Sequence, residues 1–220
     1  MTFSVLCWDP NTETHGAATA TGMPAVGAFV PFVSAGIGAI ATQGYSTNRL
    51  YGQDGLELLE RGWSANEVLD ALIKRDSGRD WRQLLIIDNE GNTACHTGKK
   101  NEEAINTATT HNAILAGNML RSDRVIIAME KSLLESNGSA TIEDKLMRSM
   151  VAAETAGGDK RGTCSAALMT ERSDGYRLDL RVDYSNQPID DLNELLKKMR
   201  SDDANNFLNR IPTRRFPYRH

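Results

Sequence analysis

A threonine that follows a removable methionine can do chemistry, and the second residue of this chain is Thr2. Met1 is expected to be trimmed, because the residue behind it is small. Trimming would leave Thr2 with a free α-amine beside its own hydroxyl. An α-amine titrates at about pH 8, so part of it is unprotonated at neutral pH and can take up a proton. A hydroxyl paired with its own α-amine is an activated nucleophile. Attack on an amide carbonyl would give an acyl-enzyme that water then clears. The plainer alternative is a chain that begins Met-Thr with no catalytic meaning.

Other residue types suit the remaining parts of such a site. His96, in Cys95-His96-Thr97-Gly98, falls at an expected strand end. There it would act as a general acid, bond a substrate carbonyl, or serve the structure alone. Gln43 and Asn118 end glycine-rich or apolar segments, where side-chain amides can donate to an oxyanion or cap a turn. Arg181 alternates with apolar residues in Asp179-Leu180-Arg181-Val182-Asp183. Its planar fork fits a substrate carboxylate, and an ion pair with Asp179 or Asp183 fits equally. Asp159, Lys160 and Arg161, followed by Ser165, lie between an expected helix end and a strand start, where loops gather functional groups. A helix cap, a turn and a surface ion pair is the structural alternative.

Several chemistries are not expected. His15 falls in a turn and should be solvated, His111 opens a strand, and no two histidines have metal-ligand spacing, so no metal is expected. There is no GxxxxGK[ST] run and no GxGxxG before a helix, which speaks against nucleotide cofactors; none of any kind is expected. Cys7, Cys95 and Cys164 are odd in number and widely spaced. Free buried thiols in a reducing compartment fit that pattern better than disulfides, with Cys7 in the core.

The 220 residues suffice for one domain with a sizeable core. Hydrophobic residues at 40% and charged residues at 25% are ordinary for a soluble protein. A net charge of −4 gives no reason to expect nucleic acid or an anionic membrane as partner. No charged segment followed by an apolar one opens the chain. The weakly polar residues 23–42 hold Pro24, Pro31 and several glycines, unlike a membrane span. A cytoplasmic protein acting on a small-molecule substrate is expected. The tail carries Arg210, Arg214, Arg215 and Arg219 with Phe216 and Tyr218. It should pack on a neighbouring subunit, which makes a homo-oligomer, dimer or larger, the expected state.

Residues 3–8, 16–21, 36–43, 83–88, 93–97, 110–115, 163–169 and 176–183 read as strands. Residues 49–61, 65–74, 123–135, 142–156 and 190–200 read as helices. Ser64 with Glu67 makes a capping box for the second helix, and Gly157-Gly158 stops the fourth. Helices come in pairs between antiparallel-looking hairpins, so two stacked antiparallel sheets with helices outside would bury every apolar face. Residues 1–201 are expected to form this single domain and residues 202–220 a basic tail.

An ordered set of short segments then adds to this reading. It runs through Thr2-Phe3-Ser4, Asp9-Pro10, Ala25-Val26-Gly27-Ala28, residues 36–43, Tyr51-Gly52, His96-Thr97-Gly98, Gly117-Asn118-Met119, residues 156–162, Ser165-Ala166-Ala167-Leu168 and residues 179–183. The set resembles the domain of unknown function 1028 family. That resemblance implies the N-terminal nucleophile (Ntn) hydrolase fold, an α+β four-layer αββα sandwich. It implies cleavage of a C–N bond, amide or cyclic amide, with Thr2 as nucleophile. By motif order Asp159 and Ser165 match the acidic residue and serine that support the amine in the wider fold. No lysine precedes Lys74, where proteasome-like members carry one on an early strand. Arg161 or Arg181 would then supply the positive charge. Two rival expectations remain: a non-catalytic binding or assembly protein on the same fold, and a hydrolase in which His96 activates water.

Overall fold

The computed structural model describes residues 2–101, 104–135, 140–213 and 215–220. Met1, on which the trimming argument turns, and Arg214 of the tail lie outside the described residues.

The central strand β1, Thr2–Asp9, is buried along nearly its whole length. A strand sends alternate side chains to opposite faces. Phe3, Val5 and Cys7 therefore enter one apolar cluster and Leu6 another. β1 pairs antiparallel with β2, Thr14–Thr21, on one side and with β8, Ala113–Asn118, on the other. β7, Asn106–Thr110, lies outside β8, while β9, Ser165–Arg172, and β10, Arg177–Val182, lie outside β2. The order of this six-stranded sheet is β10-β9-β2-β1-β8-β7. The second sheet has the order β3-β4-β5-β6: Pro31–Ser34, Gly38–Gly44, Arg82–Asp88 and Thr93–Thr97. Every pairing in both sheets is antiparallel.

Three apolar clusters follow one another through the molecule. The first lies between the six-stranded sheet and helices α3, Arg124–Leu134, α4, Ile142–Thr155, and α5, Pro188–Met199. The second joins the two sheets through Leu6, Ala17, Val33, Leu85, Ile87, Ile114 and Met169. The third packs Ile40, Leu84 and Ile86 of the smaller sheet on Val68 and Leu72 of α2, Ala65–Arg75, and Tyr51 and Leu59 of α1, Leu50–Glu60. The expected α+β class with two antiparallel sheets holds. A sixth helix, α6, Asp202–Leu208, occupies what reads in sequence as tail.

Local signals set several boundaries. Ser64 caps α2 by accepting from the Glu67 backbone N–H, while the Glu67 carboxylate accepts from the Ser64 N–H at 2.9 Å. Ser64→Ala should lower stability by about 1 kcal/mol in urea unfolding, since one helix donor then loses its acceptor. α4 ends where Gly157 takes φ 117°, a conformation open to glycine.

Three expectations need correction. The run expected as one strand at 110–115 is a hairpin, since Asn112 has φ 57° and separates β7 from β8. His15 is not in a turn but on β2, fully buried and stacked on Trp8 with ring centroids 6.1 Å apart. Cys95 is exposed, whereas Cys7 is buried in the first cluster. Burial pushes the Cys7 thiol up to about 12 against the opposing pull of Lys145.

Candidate functional site at the head of the central strand

The antiparallel registers bring one row of polar residues to the same end of the large sheet. Asn118 of β8 pairs with Thr2 of β1, Thr2 with Thr21 of β2, and Thr21 with Ser165 of β9. Directly opposed residues share a face, and this row faces the second sheet. Behind it come Ser4 and Thr19, whose hydroxyls lie 2.8 Å apart. From the second sheet Gln43 of β4 and Gln83 of β5, themselves paired, reach across. All of these side chains are buried, with Thr2 only 6% exposed.

A hydrogen-bond network joins them. The Thr2 hydroxyl donates to Thr21 Oγ1 at 3.3 Å. Ser4 Oγ donates to Gln43 Oε1 at 2.6 Å, and Gln43 Nε2 donates to the carbonyl of Thr2 at 3.4 Å and to Gln83 Oε1 at 2.6 Å. Asn118 Nδ2 also donates to Gln83 Oε1, at 3.0 Å. Buried polar groups demand partners, and these amides supply them to one another across the sheet interface. The NH2 of Gln43 is taken up by the carbonyls of Thr2 and Ala116 and by Gln83 Oε1, while that of Asn118 places one N–H on Gln83 Oε1.

A second group assembles beside the row. Asp159 is 3% exposed; its Oδ2 accepts from the Gly22 N–H at 2.6 Å and its Oδ1 from the Arg161 N–H at 2.8 Å. The Arg161 guanidinium pairs with it at 3.2 Å. A side chain on residue 22 would collide with this carboxylate, since a Cβ there would lie 2.8 Å from Asp159 Oδ2. Asp159 thus pins the end of β2 to the loop before β9. Ser165 Oγ donates to the Met23 carbonyl at 2.6 Å and accepts from the Val26 N–H at 3.1 Å. It stands two strands from Thr2, roughly 10 Å between backbones.

Two expected site residues lie elsewhere. His96 pairs with Leu84, on the face of the small sheet turned to α1 and α2, and its Nε2 lies 3.0 Å from the Arg79 carbonyl. Arg181 sits on edge strand β10 with its guanidinium on Asp183 at 2.8 Å. Its stem covers the turn at Gly27, where a Cβ would come within 2.9 Å of Arg181 Cγ.

Gln83 and Thr21 belong to the network and carry no motif, and Ser4 enters the sequence reading only as the last residue of Thr2-Phe3-Ser4. Their signal is a polar residue in phase with apolar ones: Gln83 shares a face with Leu85 and Ile87, and Thr19 and Thr21 alternate with alanines. Among the described residues no group of three or more His, Cys, Asp or Glu is arranged to hold a metal. No helix among them is long and apolar enough to cross a membrane.

The chain belongs to the family of unknown function DUF1028, whose model matches residues 2–192. Protein SPO2555 from Silicibacter pomeroyi, described with the same family, is similar at 32% identity and a TM-score of 0.92, covering 99% of this chain and 98% of that one. The ancestral β-subunit Anbu from Yersinia bercovieri aligns over 96% of this chain and 98% of that one, at 13% identity and a TM-score of 0.33, too low to bear on the fold. No curated protein matches the chain.

Proposed function

We propose that this protein is an Ntn-type hydrolase that cleaves a C–N bond, amide or cyclic amide, in a small metabolite, with Thr2 as nucleophile once Met1 is removed. The observation that carries this reading is the position of Thr2. It heads the central strand, in a row with Thr21, Ser165 and Asn118, on the face between the sheets. The succession of helices, sheet, sheet and helices described by the three clusters is compatible with the layering expected of an Ntn sandwich, which supports the reading further.

The chemistry needs only the terminal residue for its first step. The Thr2 hydroxyl attacks the amide carbonyl while its proton passes to the α-amine of the same residue. Collapse of the tetrahedral adduct breaks the C–N bond, and the α-ammonium returns the proton to the leaving nitrogen. An ester on Thr2 Oγ1 remains. Water, deprotonated by the same amine, hydrolyses it and frees the carboxylic acid. In this reading the Asp159–Arg161 pair fixes the loop beside the site rather than touching the amine.

A second reading, a non-catalytic binding or assembly protein, draws on one observation. Thr2 is 6% exposed, and two sizeable cavities lie away from it. One, of about 850 Å³, runs between α3, α4 and α5. The other, of about 700 Å³, lies between α1 and Pro212, Thr213 and Pro217.

Intact mass of the purified protein separates the two. The hydrolase reading expects Met1 to be absent and an amine-releasing substrate or acylating probe to leave its acyl group on Thr2. A retained Met1 makes the Thr2 nitrogen an amide, which is no base, and ends the mechanism.

A further inference from the structure

The directions of the buried amides can be fixed by chemistry alone. Which end of an Asn or Gln side chain is oxygen follows from its partners. Gln43 Nε2 lies against the main-chain carbonyls of Thr2 at 3.4 Å and Ala116 at 3.3 Å. Carbonyls only accept, so the NH2 of Gln43 must face them. Gln83 Nε2 lies 3.1 Å from the carbonyl of Gly117, which orients that amide in the same way. Gln83 Oε1 must then point toward Asn118, and only the NH2 of Asn118 can meet it.

Asn118 Oδ1 is what remains. It is buried and has no hydrogen-bond partner. A buried acceptor left without a donor costs about 1–3 kcal/mol, so a network this complete ending on an empty acceptor implies a donor that joins it. Asn118 is the direct cross-strand neighbour of Thr2, on the same face.

The geometry points to Asn118 Oδ1 as the acceptor that holds the α-amine of trimmed Thr2, with Gln83 the positioning residue that aims it. This rests on the hydrolase reading and reverses the role expected for Asn118: it accepts from the amine instead of donating to an oxyanion. An amine with one N–H tied to Asn118 is restrained in its rotation, with its lone pair kept off that bond and available to its own hydroxyl. The side chains named above that face Thr2 from β2, β4, β5, β8 and β9 do not titrate. The Asp159–Arg161 pair stands beyond them at Gly22.

Two measurements test this on the Met1-free protein. In a crystal structure, the Thr2 nitrogen should lie within about 3.2 Å of Asn118 Oδ1. A water on that oxygen in place of the amine, or no contact at all, overturns the proposal. In an NMR titration of the 15N-labelled Thr2 amine, Asn118→Leu should lower its pKa by about one unit, because an acceptor favours the charged ammonium. Gln83→Met should move it in the same direction, and the wild-type structure decides the matter if neither variant folds. An unmoved titration with Met1 absent and activity dependent on Thr2 overturns this proposal alone. A retained Met1, or full activity in Thr2→Val, overturns the hydrolase reading and this one together.

Discussion

Thr2→Val should abolish amide hydrolysis, with turnover falling on the order of 10³-fold or more, while Thr2→Ser retains a measurable rate. Valine keeps the shape of threonine and loses only the hydroxyl. It is small enough for Met1 to be trimmed, so the α-amine survives and the nucleophile alone is removed. Stability should change little. The hydroxyl's described bond, to Thr21, is long at 3.3 Å, and valine suits a strand. Thermal melts of both variants beside their rates separate lost chemistry from lost fold. Activity in Thr2→Val equal to the parent would leave the row at the head of β1 a purely structural feature.

Acid should weaken the fold from near neutrality, and His15 is the reason. Burial drives its pKa down from 6.5 to about 4, although the Asp88 carbonyl and the Asp88 charge both pull it up. The Asp88 carbonyl accepts from Nε2 at 3.3 Å, so Nε2 carries the proton and Nδ1, which has no partner, carries the lone pair. The folded protein therefore holds His15 neutral while the unfolded chain protonates it near 6.5. Between 6.5 and about 4 the unfolded state binds more protons, so stability falls as pH falls. The loss should approach about 3 kcal/mol once both states are protonated. Glu171 of β9 pairs with His15 in the sheet, and Trp8 stacks on it from β1. Urea unfolding of the parent and of His15→Phe at pH 7, 5.5 and 4.5 measures the difference in slope; equal slopes would exclude His15 as the source. Asp76 acts lower. Burial raises its pKa, but bonds from Tyr51, Gly78, Arg82 and Asn48 outweigh that and bring it to about 2. Its depressed value costs stability only as pH falls through 3.8 toward 2.

Local chemistry made much of the fold legible. The Ser64–Glu67 box marks the start of α2, and Gly157 the end of α4. The apolar run before Asn89-Glu90-Gly91-Asn92 is β5. Less legible were β3, hidden among glycines and prolines, and β7, a threonine-rich edge strand without apolar alternation. His15 was misread because Gly16 and a preceding polar turn mask the first residues of β2. The site divides along the same line. Thr2, Gln43 and Asn118 meet because each stands at a strand end. Asp159 and Arg161 gather at the end of the neighbouring strand β2, and Ser165 stands two strands from Thr2. That His96 and Arg181 lie apart follows from the order of strands across the sheets, which comes from contacts distant in sequence and leaves no mark on local periodicity.

The buried Cys7 gives the protein a built-in clock. Its thiol lies between the large sheet and the α3–α4 pair, and burial holds it in the unreactive protonated form. Cys95 is exposed and should alkylate first, at a rate slowed by the partial burial that raises its thiol pKa. Cys7 should wait until that layer parts from the sheet. The lag between the two modifications then times the breathing of this layer in water, with no denaturant added.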